Sequence, residues 1–476
     1  MRWPHELRPV AVALTGAVIG TLFGFVLGVA WGGGGLLPFA VGLAVVAMYV
    51  VSWQPLVGIL LVPALVGVGN DPIPGAPFGL QVVHVLVGFA LAGVGLHLVL
   101  YLDHRVRRPS VATRRAFVAI GAFVAVSWFS GLLGVAPSTA LTANLTLTGA
   151  ALLAVGISIS VCTQRQLRLF VVVVVLGSIA ATAPVLGQLG DVESRRGGTV
   201  VDNRPTGAFA DPNELGIYAV VIVVLALTLL AVGRRLELVV GVVGGGFALA
   251  GLLLSFSRGA WLAALAAGVV LLAYPLMRGR ILRVLAVGVL VAGLLVSTSV
   301  VDLPVGALQD RASSLLSGAS NPYDARPAIW QTALGIFVDH PLLGAGPGSF
   351  STVVAEAPGF LWAYPVVHAH SGPLTVAAET GALGLLTSLA VVLVVGAGLL
   401  GGRLRGSGDP SATGLLHGIL AALCGVGACL GVDYTLRNPL VLTMVWMLVG
   451  IALAASQLSE SAADETSVDA PHAVVR

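Results

Sequence analysis

Apolar residues run through this chain in stretches of about twenty, separated by short clusters of Arg, Pro and Gly. Such stretches fall near 10–30, 36–52, 55–69, 79–102, 116–134, 139–161, 167–189, 213–232, 236–256, 259–276, 282–301, 371–400, 413–432 and 438–458. A hydrocarbon core about 30 Å thick takes about 20 apolar residues as a helix, whereas a barrel strand needs about 9–11. The pattern therefore predicts an all-α polytopic membrane protein with about 12–14 transmembrane helices. The third stretch is short, and with the second it makes either two spans or one re-entrant pair; both leave the later orientation unchanged. Four regions follow: helices with short loops over 1–301, a long loop at 302–369, further helices over 370–458, and a polar, acidic tail at 459–476 that reads as disordered.

Composition sharpens this picture. Of 476 residues, 57% are hydrophobic and 9% charged. Soluble proteins carry about 25% charged residues, and so few ionic groups cannot cover the surface of a water-soluble globule. The net charge of +3 says little about partners, and nothing in the charge pattern points to nucleic acid. Cys162, Cys424 and Cys429 are too scattered for a disulfide framework or a zinc site. The first stretch follows Arg2 and offers Gly28-Val29-Ala30 as a cleavage site, but its length favours an uncleaved first span.

All 24 basic residues are arginine, and their distribution orients the chain. With the N-terminus in the cytoplasm, seventeen of the 24 fall on inner loops or on the cytoplasmic C-terminal tail. Seven lie outside against the bias: Arg195, Arg196, Arg204, Arg258, Arg311, Arg326 and Arg437. Surface snorkelling accounts for Arg195, Arg196, Arg311 and Arg437. Arg258 stands apart, because Ser257-Arg258-Gly259 is a tight hairpin that aims a guanidinium between two helices. Arg326 opens the one part of the long outer loop that reads as structured.

That part is 326–337, with Pro327 at a first helical position and an apolar stripe of Ile329, Trp330, Ala333, Ile336 and Phe337. It predicts an amphipathic helix ending at His340-Pro341, with Arg326 and Trp330 on one face. The following 344–350 segment reads as a turn rather than a phosphate cradle, since neither Lys nor a helix start follows it. Two outward histidines, His368 and His370, then stand at the mouth of a span. As metal ligands they lack a partnered Cys or a third well-spaced ligand. As a general base, an imidazole outside the cell is available in its neutral form. Glu379 lies inside the apolar run, where a carboxylate is costly, and pairing with an outer arginine is its expected role. In the other outer loop, Asn213 is read as the cap of the next helix, with Arg204 nearby.

Taken together, four stretches resemble the O-antigen ligase and polymerase family of bacterial surface-polysaccharide assembly. They are 207–216, the Ser257-Arg258-Gly259 hairpin, the segment from Arg326 to Phe350, and His370-Ser371 followed by Gly381-Ala382-Leu383-Gly384. The resemblance covers about residues 200–400. It implies a glycosyltransferase of the inner membrane working at the outer leaflet, with a glycan on undecaprenyl diphosphate as donor and a glycan, lipid or protein as acceptor. It further implies that His370 is the base and that Arg258 and Arg326 hold the diphosphate, with no metal or other cofactor. Arg204, Asn213, Trp330, His368 and Glu379 are supporting or substrate-binding candidates.

The chemistry is coherent by itself. A sugar on a diphosphate has a good leaving group, so the site needs cations for the departing charge and a base for the acceptor hydroxyl. Base and diphosphate on opposite faces of the anomeric carbon predict inversion. Ligase and polymerase share this donor and differ in the acceptor. The rival from another class is a lipid-linked oligosaccharide flippase or other transporter. Transporters keep ionisable or broken-helix sites near the midplane, and these apolar runs are nearly free of charge, Glu379 apart. A metal-dependent enzyme would need outer acidic ligands, for which Asp191-Val192-Glu193 is the one suitably spaced pair found.

Overall fold

The computed structural model describes residues 36–68, 72–73, 80–101, 106–190, 192–195, 197–198, 200–297, 303–316, 325–356, 366, 368–405 and 409–468. The first predicted span, its cleavage site and Asp191 lie outside the described residues. The helices in chain order are α1 (Leu36–Trp53), α2 (Pro55–Leu65), α3 (Val82–Leu100), α4 (Val111–Leu133), α5 (Pro137–Ser160), α6 (Gln164–Thr182), α7 (Pro212–Val232), α8 (Arg235–Leu254), α9 (Arg258–Leu272), α10 (Pro275–Ser297), α11 (Val305–Ser313), α12 (Arg326–Asp339), α13 (Phe350–Glu356), α14 (Gly372–Arg405), α15 (Pro410–Val432) and α16 (Pro439–Val468).

Among the described residues, nine helices are long and apolar enough to cross a membrane: α3 to α8 and α14 to α16. The all-α polytopic fold expected from the sequence is therefore the one observed. Helices α1 and α2 meet at a bend of 116°, a broken span or the re-entrant pair. Helix α9 has only 15 residues, about 22 Å at 1.5 Å per residue, short of the hydrocarbon core.

Local sequence explains where these helices begin. Pro55, Pro137, Pro212 and Pro410 occupy first-turn positions, where the missing N–H is no loss. Side-chain caps add to this: Ser110 accepts from the Thr113 amide, Thr163 from Gln166, and Asp211 from Asn213. Asp211, not Asn213, is thus the cap of α7, because Pro212 takes the first helical position and the cap falls two residues earlier than expected. Helices α7 and α16 are the most deeply buried of the bundle.

Arginine-rich connections gather at one end. There Arg168 forms an ion pair with Glu237 at 2.7 Å and donates to Ser411, and Arg107 donates to Ser461 Oγ at 2.9 Å and to the Cys162 carbonyl. Helix α16 continues to Val468, so 459–468, read from sequence as disordered tail, is helical. Alanines and the docking of Ser461 on Arg107 extend it; 469–476 lie outside the described residues.

The opposite end carries irregular structure. Two three-residue strands, β1 (Glu193–Arg195) and β2 (Val200–Asp202), pair antiparallel, a hairpin the all-helical reading did not contain. The long loop holds three short helices, α11, α12 and α13, where one was expected.

Candidate functional site

The site starts from a break in a helix. Within α14, Gly381 leaves helical geometry at φ 65°, ψ −164°, a left-handed region open to glycine. The break strips partners from nearby backbone groups, and the turn after α12 supplies them. Ala345 N donates to the Ala378 carbonyl and Gly346 N to Glu379, both at 2.9 Å. In the other direction Ala382 N donates to the Pro341 carbonyl at 2.9 Å and Leu383 N to Leu342 at 3.2 Å. Ser130 Oγ on α4 donates to the Glu379 carbonyl at 2.7 Å. A Cβ on Gly381 would stand 2.4 Å from the Leu342 carbonyl carbon, and one on Gly384 would collide with Thr380. The Gly-x-x-Gly motif is therefore a splice, through which the 341–346 turn holds the first turns of α14 and the histidines before them.

Glu379 sits at this splice, buried. Its Oε1 accepts from Phe350 N at 3.4 Å, and it also accepts from the backbone of Gly348, with the Arg437 charge nearby. Backbone amides, more than the expected arginine, hold it. The 344–350 segment is a turn as read, but a helix does start directly after it at Phe350; Glu379 occupies that start and leaves no room for a phosphate there.

His370 stands just ahead of α14 with φ 48°, itself left-handed. Its Nδ1 lies 3.0 Å from Asp433 Oδ1, and His368 Nε2 lies 3.5 Å from the same oxygen. The two rings are 4.5 Å apart between centroids. Asp433, at the end of α15, is fixed by accepting from Tyr434 N at 2.8 Å. Burial alone would raise its carboxyl, but hydrogen bonds from His368 and His370 and their charge outweigh it and hold Asp433 well below the usual carboxylate range. Burial lowers His368, against the pull of Asp433, and so favours its neutral form. Its Nδ1 is buried with no hydrogen-bond partner among the described residues.

Asp433 is the third group that the sequence reading did not find beside the two histidines. His368, His370 and Asp433 each offer a ligand atom, and the three lie within 4.8 Å of one another. The signal was available: Asp433 is a carboxylate in the short connection after the 413–432 stretch, which the arginine pattern predicts to lie on the same side as the histidines.

Beside this triad, arginines converge from four separate segments. The hairpin between α8 and α9 turns at Phe256, φ 50°, and two arginines clamp its carbonyls. Arg204 Nε donates to Ser255 O and Arg311 Nε to Phe256 O, both at 2.9 Å. Arg204 also donates to Asn213 Oδ1 at 3.0 Å, and Arg311 to the Gly198 carbonyl of the β-hairpin at 2.8 Å. Asn213 thereby supports Arg204. Ser257 then caps α9, which begins with Arg258. Arg326 begins α12, half-buried.

These guanidiniums feel one another. Burial first, then the charges of Arg258, Arg204 and Arg326, push Arg311 down to about 10. Arg204 is lowered by burial and by Arg258 and Arg326, while Asp211 and Asp433 oppose the shift. Arg311 is 8% exposed; it is a buried member of the cluster and not the snorkelling surface residue that its position in the sequence predicts, since its headgroup is bound to two carbonyls. Trp330 is not brought in: the buried stripe of α12 is Ile329, Ala333 and Ile336, while Trp330 is exposed with Leu334 and Val338.

Fold and site together define a polytopic helical membrane protein with a cationic cluster and an imidazole–carboxylate triad at one end of the bundle. Residues 243–389 match the family described as O-Antigen ligase, bearing out the resemblance seen in the motifs. That segment contains Arg258, Arg311, Arg326, His368, His370 and Glu379; Arg204, Asn213 and Asp433 lie outside it. No curated protein matches the chain. A chain of the solved structure described as "Structural coordination of polymerization and crosslinking by a peptidoglycan synthase complex" aligns with 72% of this chain and 97% of its own length, at 18% identity and a TM-score of 0.37. That likeness is too slight to bear on the site.

Proposed function

We propose that the protein is a membrane glycosyltransferase that moves a glycan from an undecaprenyl-diphosphate donor to an acceptor hydroxyl at the outer leaflet. The observation that carries this reading is the convergence of Arg204, Arg258, Arg311 and Arg326 beside the His370–Asp433 pair. Four guanidiniums close enough that the charges of Arg258 and Arg326 help to lower Arg204 and Arg311 call for an anion, and a diphosphate supplies it through charge-assisted hydrogen bonds.

In the transfer step, Asp433 holds Nδ1–H of His370 and leaves Nε2 with its lone pair. Nε2 takes the proton of the acceptor hydroxyl as its oxygen bonds to the anomeric carbon. The bond from that carbon to the diphosphate oxygen breaks, its electron pair leaves with the diphosphate, and the arginines stabilise the growing charge. Attack opposite the leaving group inverts the anomeric centre. Arg204 and Arg311, committed to backbone carbonyls, hold the hairpin that aims Arg258; Arg258 and Arg326 are the direct diphosphate ligands. The reading covers ligase and polymerase alike.

The test is binding of undecaprenyl diphosphate to detergent-purified protein in EDTA. Saturable binding is expected, weakened about 10- to 100-fold by Arg258→Ala or Arg326→Ala, as for loss of a hydrogen bond to a charged group. Binding that is absent, or indifferent to both arginines, would remove the basis of this site.

A further inference from the structure

The His368–His370–Asp433 triad has a second chemistry. We infer that it is an exchangeable zinc site whose occupation switches the protein off. Zinc takes His nitrogen at about 2.0–2.1 Å and carboxylate oxygen at about 2.0–2.2 Å, so neighbouring ligand atoms of a tetrahedron stand about 3.3 Å apart. The two separations from Asp433 Oδ1, 3.0 Å to His370 Nδ1 and 3.5 Å to His368 Nε2, bracket that edge. All three ligand atoms lie within 4.8 Å of one another. Little competes with a metal for His368, which makes no side-chain hydrogen bond closer than that 3.5 Å contact among the described residues. The side chain of His370 is 32% exposed, which leaves a way in.

Two imidazoles and one carboxylate suit Zn²⁺, and Co²⁺ as its spectroscopic substitute, whereas Mg²⁺ and Ca²⁺ prefer all-oxygen sets. Three ligands beside a cluster of guanidiniums give a site that loads and empties, not one that retains its ion. The consequence for the base follows from tautomer chemistry. A neutral imidazole with a metal on Nδ1 carries its one proton on Nε2, so a loaded His370 has no lone pair for the acceptor hydroxyl. The switching half of the inference rests on the transferase reading; the binding half does not.

The experiment uses EDTA-stripped, detergent-purified protein titrated with Co²⁺ and followed by visible d–d absorption, with Zn²⁺ then added to displace it. Expected is an intense tetrahedral spectrum saturating at one ion per chain and bleached by Zn²⁺. It should be lost in His368→Ala and Asp433→Asn, retained in His340→Ala, and not bleached by Mg²⁺ or Ca²⁺ at equal concentration. A spectrum that is missing, or unchanged in both triad variants, overturns the site. In a parallel turnover assay, stripped protein should be active and lose at least about tenfold on saturation with Zn²⁺, the scale of a general base. Activity that requires Zn²⁺ would overturn the inhibitory role. A tetrahedral spectrum in protein that binds no undecaprenyl diphosphate would keep the metal site and sink the transferase reading instead.

Discussion

A general base that takes a proton from a hydroxyl needs a lone pair aimed at substrate and a partner that fixes its tautomer. His370 has the exposure for the first requirement and Asp433 meets the second. His370→Ala is expected to bind undecaprenyl diphosphate as wild type does while turnover drops about 10²- to 10⁴-fold; normal turnover would end its assignment as base. Asp433→Asn keeps the shape but presents an amide that can select the wrong tautomer, so kcat should fall by about tenfold or more with the donor KM little changed. The same carboxylate has a stability role. Its pKa is depressed in the folded state, so its contribution is present above the ordinary carboxylate pKa of about 3.9 and is lost as pH falls toward the folded value. Thermal unfolding should therefore separate wild type from Asp433→Asn at neutral pH, and the gap should narrow below about pH 4. Arg258, Arg326 and His370 were legible because each breaks a local pattern. Asp433 was legible only as a carboxylate in a short connection; its pairing with His370, like that of Arg311 with the 255–257 hairpin, was not, because the partners stand 63 and 55 residues apart in the chain and only the folded bundle brings them into contact.

Elements were read well where hydrophobicity alone decides them. Helices α3 to α8 and α14 to α16 fall on predicted apolar stretches, and the prolines and caps mark their starts. The break in α14 was invisible, because an apolar run containing Gly-Ala-Leu-Gly is as consistent with a continuous span as with a splice. Its cause is long-range: the 341–346 turn offers donors and acceptors that a straight helix would not need. Gly381→Ala places a Cβ 2.4 Å from the Leu342 carbonyl carbon at φ 65°. Gly344→Ala does the same against Glu379 at 2.3 Å, with φ 69°. Positive φ alone costs about 1–2 kcal/mol for a residue with a Cβ, and backbone has nowhere to retreat. Both variants are expected to lower the unfolding temperature in detergent by several degrees and to lose turnover with it, since the splice seats His370. Gly268→Ala, in α9 with open space around it, should match wild type or slightly exceed it. Equal stability in all three would mean that the splice does not hold the site.

At the scale of the whole molecule, the two ends of the bundle use arginine differently, and the difference bears on which way the protein faces. At one end Arg168, Arg107 and Arg280 are bound into a salt bridge, hydroxyls and carbonyls that lock neighbouring helices together. At the other, four arginines are crowded around the triad. Positive charge tends to be retained in the cytoplasm during insertion, which predicts that the arginine-rich connections face inward and that the crowded cluster is translocated, a cost accepted only where the charge is needed. A donor anchored by a polyprenyl tail meets the cluster at the outer leaflet only in that orientation. Single cysteines in a background lacking Cys162, Cys424 and Cys429 test it. Gln309→Cys on α11 and Arg235→Cys at the start of α8 are both exposed and lie at opposite ends. A membrane-impermeant maleimide on intact cells should label Gln309→Cys alone, and both after permeabilisation. The reverse pattern would put the arginine cluster in the cytoplasm, where the expected donor is not presented, and would overturn an outer-leaflet transfer even if every residue of the site behaved as argued.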